Sequence, residues 1–299
     1  MKLNRRRRTV LLCLPLALAG LSACAQTTSA QPAESTAAAT TTVPEATTTV
    51  APTTEAPTTE APTTIAAPTT TAAPTTTVDP RIEVVGPAPA PIVAVGTQNG
   101  EATAAIQMRL AQLGFWSGNV ADGSYGQATM QAVMAFQKYL GLEASGRVDE
   151  PTAAYLQTYT ERVRATADSG TLVEVDKTKQ LLFIVVDGRT LWAFNTSTGS
   201  GEPYEAVNQN DPTKIEKGDS ITPNGLWEVN RERPEGWWEG DLGKIYRPKY
   251  FHGGVAIHGM TNVPNYPASH GCVRLSLPAM DFVWDSGLVP VGTPVWVHE

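Results

Sequence analysis

The chain has 299 residues, with 29 acidic against 22 basic side chains and a formal charge of −7. Five of the basic residues (Lys2, Arg5, Arg6, Arg7 and Arg8) crowd the N-terminus; the remainder carries 17 basic against 29 acidic groups, a formal charge of −12. That balance excludes general binding to a phosphate backbone, so nucleic acid is not an expected partner. The length allows about two domains.

Behind the basic cluster runs an apolar stretch, Thr9 to Leu21, ending Leu21-Ser22-Ala23-Cys24. It is short for a membrane span, which needs about 20 residues, and suits the apolar core of an export signal. The ending resembles the lipobox of bacterial lipoproteins. That resemblance implies a signal peptide over 1–24, lipidation of Cys24, and a chain held at the membrane by its lipid.

Residues 25 to about 95 are mostly Thr, Ala and Pro, with imperfect repeats such as Ala51-Pro52-Thr53-Thr54-Glu55 and Ala56-Pro57-Thr58-Thr59-Glu60. Apolar side chains are too few there to offset the entropy of ordering. The expectation is a disordered tether. Its roughly 70 residues could extend to on the order of 200 Å at most.

Helical spacing begins after Thr97. Ile106, Leu110 and Leu113 mark a helix over 102–113, stopped by Gly114. Met130, Val133, Met134, Phe136 and Leu140 mark a second over 127–140, stopped by Gly141. A third spans 151–159, opened by Pro151. A faint internal echo links the turns Asp122-Gly123-Ser124 and Ser145-Gly146-Arg147, each placed before a Thr-led helix. The segment 97–160 resembles the helical peptidoglycan-binding domain. The likeness rests on Ile106-Gln107, Leu113-Gly114-Phe115-Trp116, Asp122-Gly123, Tyr125-Gly126, Ala135-Phe136-Gln137 and Gly141-Leu142. It implies a small three-helix domain that holds wall glycan, although most of these positions also serve as core and turn formers.

From about 170 to 299 the pattern turns to short β runs: residues 171–176, 180–186, 191–194, 226–229, 255–257 and 294–297. Asp187-Gly188 between apolar runs signals a hairpin. One helix is expected over 277–286. The fold class is therefore multidomain: a small all-α domain followed by a mainly β domain, a sandwich or partial barrel. The stretch 228–244 reads as an acidic loop bearing Trp237 and Trp238, side chains that either cover a cleft or pack on the sheet, with packing favoured.

Of three cysteines, Cys13 lies in the signal and Cys24 at its end; after processing, Cys272 is expected to be the one thiol left that is not lipidated. A thiol attacks carbonyls as thiolate, and an imidazole can take its proton. His270 lies two residues away, on the same face if the segment is a strand. His258 ends a strand and could face Cys272 across the fold. Gly271 permits close backbone approach and could free its own N–H and that of Cys272 for an oxyanion.

Ser269-His270-Gly271-Cys272-Val273-Arg274, with Ala256-Ile257-His258-Gly259 upstream, resembles the signature of the YkuD-type L,D-transpeptidases. Thr222-Pro223-Asn224-Gly225, Gly254 and Gly292-Thr293-Pro294-Val295 agree with it. The resemblance implies Cys272 as nucleophile and His258 as general base and later acid. Ser269, His270, Gly271 and Arg274 would orient the site, form the oxyanion site or hold substrate. It further implies a thioester made at the third residue of a tetrapeptide stem, loss of D-Ala, and a 3→3 peptidoglycan cross-link, with water as acceptor giving an L,D-carboxypeptidase instead. Peptidoglycan stems and glycan are the expected partners, in the cell envelope, with no cofactor. A metal site from His252, His258, His270 and Cys272 is disfavoured, because His-x-Cys is tight for one tetrahedral centre. No papain-type or caspase-type motif surrounds Cys272. A non-catalytic wall-binding lipoprotein is the remaining alternative.

Overall fold

The computed structural model describes residues 82–299. The expected signal, Cys24 and most of the tether lie outside the described residues. Three helices come first: α1 (Glu101–Gln112), α2 (Gln127–Tyr139) and α3 (Glu150–Thr158). Asp149 caps α3 by accepting from the Thr152 N–H at 2.9 Å, with Pro151 in the first turn.

The echo between the two turns has a physical basis. Gln107 of α1 donates to Asp122 Oδ1, Ser124 O and Thr129 Oγ1 at 2.8–3.0 Å and accepts from the Gly123 N–H at 2.8 Å. Gln137 of α2 does the same one helix later. It donates to Arg147 O at 2.9 Å and Thr152 Oγ1 at 3.0 Å, and accepts from the Gly146 N–H at 2.8 Å. Each buried amide thus fixes the turn and the first Thr of the next helix. A buried amide needs such partners to offset its desolvation.

The sequence places the end of the tether near residue 95, but the chain is tied down earlier. The Val85 N–H donates to Thr160 O at 2.8 Å, the Ala88 N–H to Gln157 O at 2.9 Å, and the Ile92 N–H to Gln157 Oε1 at 2.7 Å. The buried Arg109 donates to Gly86 O (2.7 Å), Leu156 O (2.9 Å) and Tyr159 O. Val85, Ile92 and Val95 pack on the helical core, a burial the Thr-rich repeats have no side chains to make.

The β region begins with β1 (Leu172–Asp176), β2 (Leu181–Val186) and β3 (Arg189–Asn195), joined at β2–β3 by Asp187 and Gly188, both at positive φ as the hairpin signal requires. A protruding hairpin follows, β4 (Pro203–Val207) and β5 (Ile215–Asp219), then β6 (Gly225–Glu228), β7 (Arg231–Glu232), β8 (Trp237–Gly240), β9 (Gly243–His252), β10 (Val255–Met260), β11 (Val273–Ser276), α4 (Leu277–Asp285) and β12 (Pro294–His298). One sheet has the order β3-β2-β1-β12-β6; the other runs β11-β10-β9-β7, with β8 also on β9. The expected loop at 228–244 is therefore mostly strand. Its polar residues on half-exposed arms carry little alternation to read.

The two sheets enclose Val175, Ile184, Phe194, Ile257, Leu275, Met280 and Val295. The outer face of β2 and β3, with Leu181, Phe183, Val185 and Ala193, packs on Ile106, Leu110, Phe115 and Phe136 of the helical module. This explains the unbroken apolar run of β2: both of its faces are buried. Module and sheet thus share one core. The segment 114–116 even adds to the edge of β3: the Ala193 N–H donates to Gly114 O at 2.8 Å and the Trp116 N–H to Ala193 O at 3.2 Å. Phe115 then faces the helical core, while Trp116 stacks with Phe282 at 5.1 Å inside the β domain.

Candidate active site

Strand β10 carries His258, and β11 begins one residue after Cys272. The two strands pair in parallel, Ile257 with Val273 and His258 with Arg274. The pairing puts His258 and Arg274 side by side on one face, and Cys272 stands immediately before β11. All three line a cleft of about 500 Å³.

The segment 269–272 is a tight turn, so the same-strand argument for His270 does not apply. His270 projects from the turn, exposed, with its ring 4.9 Å from that of Tyr204. Ser269 closes the turn: its Oγ donates to Cys272 O at 2.5 Å and accepts from the Gly271 N–H at 3.0 Å. The Gly271 N–H, expected to face an oxyanion, is thereby engaged. Gly271 itself sits at φ +132°, and a Cβ there would lie 2.8 Å from Ile221 O.

A second residue fixes the turn from outside the motif. Thr222, 2 % exposed, donates from Oγ1 to Gly271 O at 2.7 Å and accepts from the Gly199 N–H at 2.9 Å. Gly199 in turn pairs with Ser269, and the Ala268 and Ser269 N–H groups both donate to Thr198 O at 2.9 Å. Sequence reasoning noted Thr222 as part of a pattern without finding this role, which depends on a contact 49 residues along the chain.

Burial governs the electrostatics. It pushes the His258 imidazole down to about 4, opposed by a hydrogen bond from Nδ1 to Gly259 O at 2.9 Å and reinforced by the Arg274 charge. Burial raises the Cys272 thiol, and the Ala256 N–H and Arg274 offset this in part. Both shifts favour the neutral pair, thiol and imidazole, in the resting site. Because Nδ1 donates to a carbonyl, Nε2 is the basic nitrogen. Arg274 has no carboxylate partner among the described residues, and its Nε is buried without an acceptor.

Two arms roof the cleft. The tip of the β4–β5 hairpin meets the β8–β9 turn, where the Gln209 N–H donates to Asp241 O at 2.8 Å and Asn210 Nδ2 to Asp241 Oδ1 at 2.9 Å. Trp238 lines the cleft under an Arg233 guanidinium 4.7 Å from its ring, whereas Trp237 packs on Tyr246 at 5.4 Å. The favoured packing reading therefore fits Trp237 and not Trp238. Arg231 also lines the cleft, 4.0 Å above the Tyr250 ring. His252 stacks on Trp227 at 4.0 Å and His298 on Trp296 at 4.3 Å, so neither shares the cleft.

The L,D-transpeptidase catalytic domain family matches residues 170–297, and the peptidoglycan binding domain family matches 99–156. Among solved structures, an L,D-transpeptidase from Xylanimonas cellulosilytica (residues 123–326 of that protein) is 43% identical with a TM-score of 0.61; the match covers 70% of this chain and 99% of that one. Others include an L,D-transpeptidase from Stackebrandtia nassauensis, 22% identical over 70% of this chain and 96% of that one with a TM-score of 0.39. One from Mycobacterium smegmatis is 21% identical over 44% and 59%, with a TM-score of 0.33. No curated protein matches. The chain belongs to the L,D-transpeptidase family. It is a transpeptidase of the cell envelope, with a helical peptidoglycan-binding module and a mainly β catalytic domain.

Proposed function

We propose that Cys272 is the nucleophile and His258 its base in an acyl transfer between peptidoglycan stems. The observation that carries this is the placement in one cleft of the buried His258 imidazole, on β10, and Cys272, the one cysteine among the described residues, at the start of the paired β11. Cys272 Sγ attacks the carbonyl of the third residue of a tetrapeptide stem as its proton passes to His258 Nε2. Collapse of the tetrahedral adduct breaks the peptide bond, and His258 returns the proton to the departing D-Ala amine. The thioester is then attacked by the side-chain amine of a second stem. That amine gives its proton to His258, and Cys272 leaves and is reprotonated. The product is a 3→3 cross-link.

In the resting enzyme the thiol holds its proton until substrate arrives, which protects it from adventitious oxidation in an exported setting. Ser269 and Thr222 hold the turn, and Gly271 supplies its shape. With the Gly271 N–H engaged, the Cys272 N–H is the backbone donor left for the oxyanion. Arg274, charged and unpaired, attracts the anionic adduct or a stem carboxylate. His270 and Tyr204 form an exposed wall for the stem.

The signal at 1–24 would direct export, lipidation of Cys24 would hold the chain at the membrane, and the tether would let the catalytic unit sample the wall. The helical module would raise the local concentration of stems near Cys272.

The test incubates the full chain with a disaccharide-tetrapeptide, with Cys272→Ala beside it, and reads products by mass spectrometry. Loss of D-Ala with a cross-linked dimer, both absent in the variant, is expected. Loss of D-Ala alone would make the chain an L,D-carboxypeptidase. Neither product, with no carbapenem adduct on Cys272, would leave a non-catalytic wall-binding protein.

A further inference from the structure

The loop 261–268 leads directly into the Ser269–Cys272 turn, and much of what holds it comes from the helical module. Gln127 Nε2 donates to Thr261 O at 2.7 Å, and Gln131 Nε2 to Val263 O at 3.0 Å. In return Asn265 Nδ2 donates to Ala144 O at 2.9 Å, in the segment after α2. The other side of the loop is held by the β domain, where Ser197 Oγ donates to Tyr266 O at 2.8 Å.

Gln131 stands where these two supports meet. Its Oε1 accepts from Asn195 Nδ2 at 2.6 Å, at the end of β3. The chain then runs from Asn195 through Ser197, Thr198 and Gly199, whose backbone receives Arg274, Ala268 and Ser269. One side chain of α2 therefore ties together both segments that build the nucleophile turn. Gln131 is only 6 % exposed. An apolar residue would pack against the sheet at lower desolvation cost, since a buried amide gains little net stability from its bonds. What the amide adds is direction, because its two bonds fix the loop relative to the strand end.

We infer that Gln131 is a positioning residue for Cys272, and that the helical module is part of the catalytic unit as well as a wall-binding domain. The inference rests on the reading of Cys272 as nucleophile. It assigns α2 the task of holding the turn at attack geometry, where a misplacement of about 1 Å can lower the rate roughly a hundredfold.

The experiment uses the full chain and the near-isosteric Gln131→Met, with three readouts: D-Ala release from a disaccharide-tetrapeptide, alkylation of Cys272 by iodoacetamide, and sedimentation with wall sacculi. Expected are a kcat lower by roughly ten- to a hundredfold, an altered alkylation rate, and an unchanged donor KM and sedimentation. A kcat within twofold of the parent would overturn the inference, and so would a KM that rises while kcat holds. If Gln131→Met does not fold, the double variant Gln127→Ala/Asn265→Ala cuts the two outer ties, at the half-buried Gln127 and the exposed Asn265. It should lower kcat by threefold or more, and an unchanged kcat with a normal melting transition would again overturn the inference. If the parent releases no D-Ala, the nucleophile reading falls. The alkylation comparison then still decides the positioning, with equal rates in parent and variant refuting it.

Discussion

Thr222→Val tests whether the nucleophile turn is held from outside its own motif. Valine keeps the shape and loses the hydroxyl. It leaves the buried Gly271 carbonyl without its 2.7 Å donor and the Gly199 N–H without its 2.9 Å acceptor. Two net hydrogen bonds are worth about 1 kcal/mol each, and an orphaned buried group costs about 1–3 kcal/mol. The expected loss is about 2–4 kcal/mol, which for a folded region of this size lowers the melting temperature by roughly 5–15 °C. Thr222→Ser retains both bonds and loses only a methyl, so it should fall by about 1 kcal/mol. Scanning calorimetry gives the stabilities, and iodoacetamide labelling of Cys272 reports the turn. If Thr222→Val melts within about 2 °C of the parent and labels at the parental rate, the hydroxyl does not hold the turn and the reasoning is wrong.

The depressed His258 imidazole gives a signed pH dependence. Between about 6.5, its unfolded value, and about 4, the unfolded chain binds the proton and the folded chain does not. Stability from this group is therefore complete above about pH 6.5 and is lost as pH falls toward 4, an effect of about 3 kcal/mol. Denaturant titrations of His258→Gln should lack that part of the acid limb, and identical limbs would contradict it. The raised Cys272 thiol has the opposite consequence. Its labelling should stay slow through neutral pH and climb only above about 8.5, whereas a plateau near pH 6 would reveal a resting thiolate–imidazolium pair. Arg109→Met removes the donor from Gly86 O, Leu156 O and Tyr159 O and should cost about 3 kcal/mol. Limited proteolysis should then cut within residues 84–96, and protection equal to the parent would refute the role of Arg109 in tying that segment down. Trp238→Ala, at a residue 43 % exposed on the cleft wall, should raise the donor KM several-fold with a melting shift under about 2 °C; an unchanged KM would assign Trp238 to packing alone.

The shared core also alters how the wall-binding module can be tested. Removing residues 97–160 would strip Phe115, Phe136 and Leu110 from the outer face of β2 and β3 and expose Leu181, Phe183 and Val185. Loss of sacculus binding after such a deletion would report an unfolded sheet as readily as a lost ligand site. Point substitutions on the exposed helix surface separate the two.

Local rules carried much of this protein. The stops at Gly114 and Gly141, the helix start at Pro151, the Asp187-Gly188 hairpin and the three-helix pattern depend on neighbours within a few residues, and all were legible in the sequence. So were Cys272 and His258 as candidates, because a lone thiol and a strand-end His-Gly carry their chemistry in residue type and order. Hidden from the sequence were β4, β5, β7 and β8, short and largely exposed strands that carry little apolar signal, and also β9 and β11, where Lys and Arg interrupt the apolar residues. The start of the folded chain near 84 was also hidden, since it rests on Arg109 reaching across three segments. Only the tertiary structure decided that the Gly271 N–H goes to Ser269, that Thr222 holds the turn, and that Phe115 and the adjacent Trp116 enter different cores. It also decided that Gln131 bridges α2 to the catalytic loop. The Ser269–Gly271 bond is local but depends on the exact shape of the turn; the others join residues tens of positions apart. All are fixed by packing and by the need to satisfy buried polar groups, and neither appears in periodicity or composition.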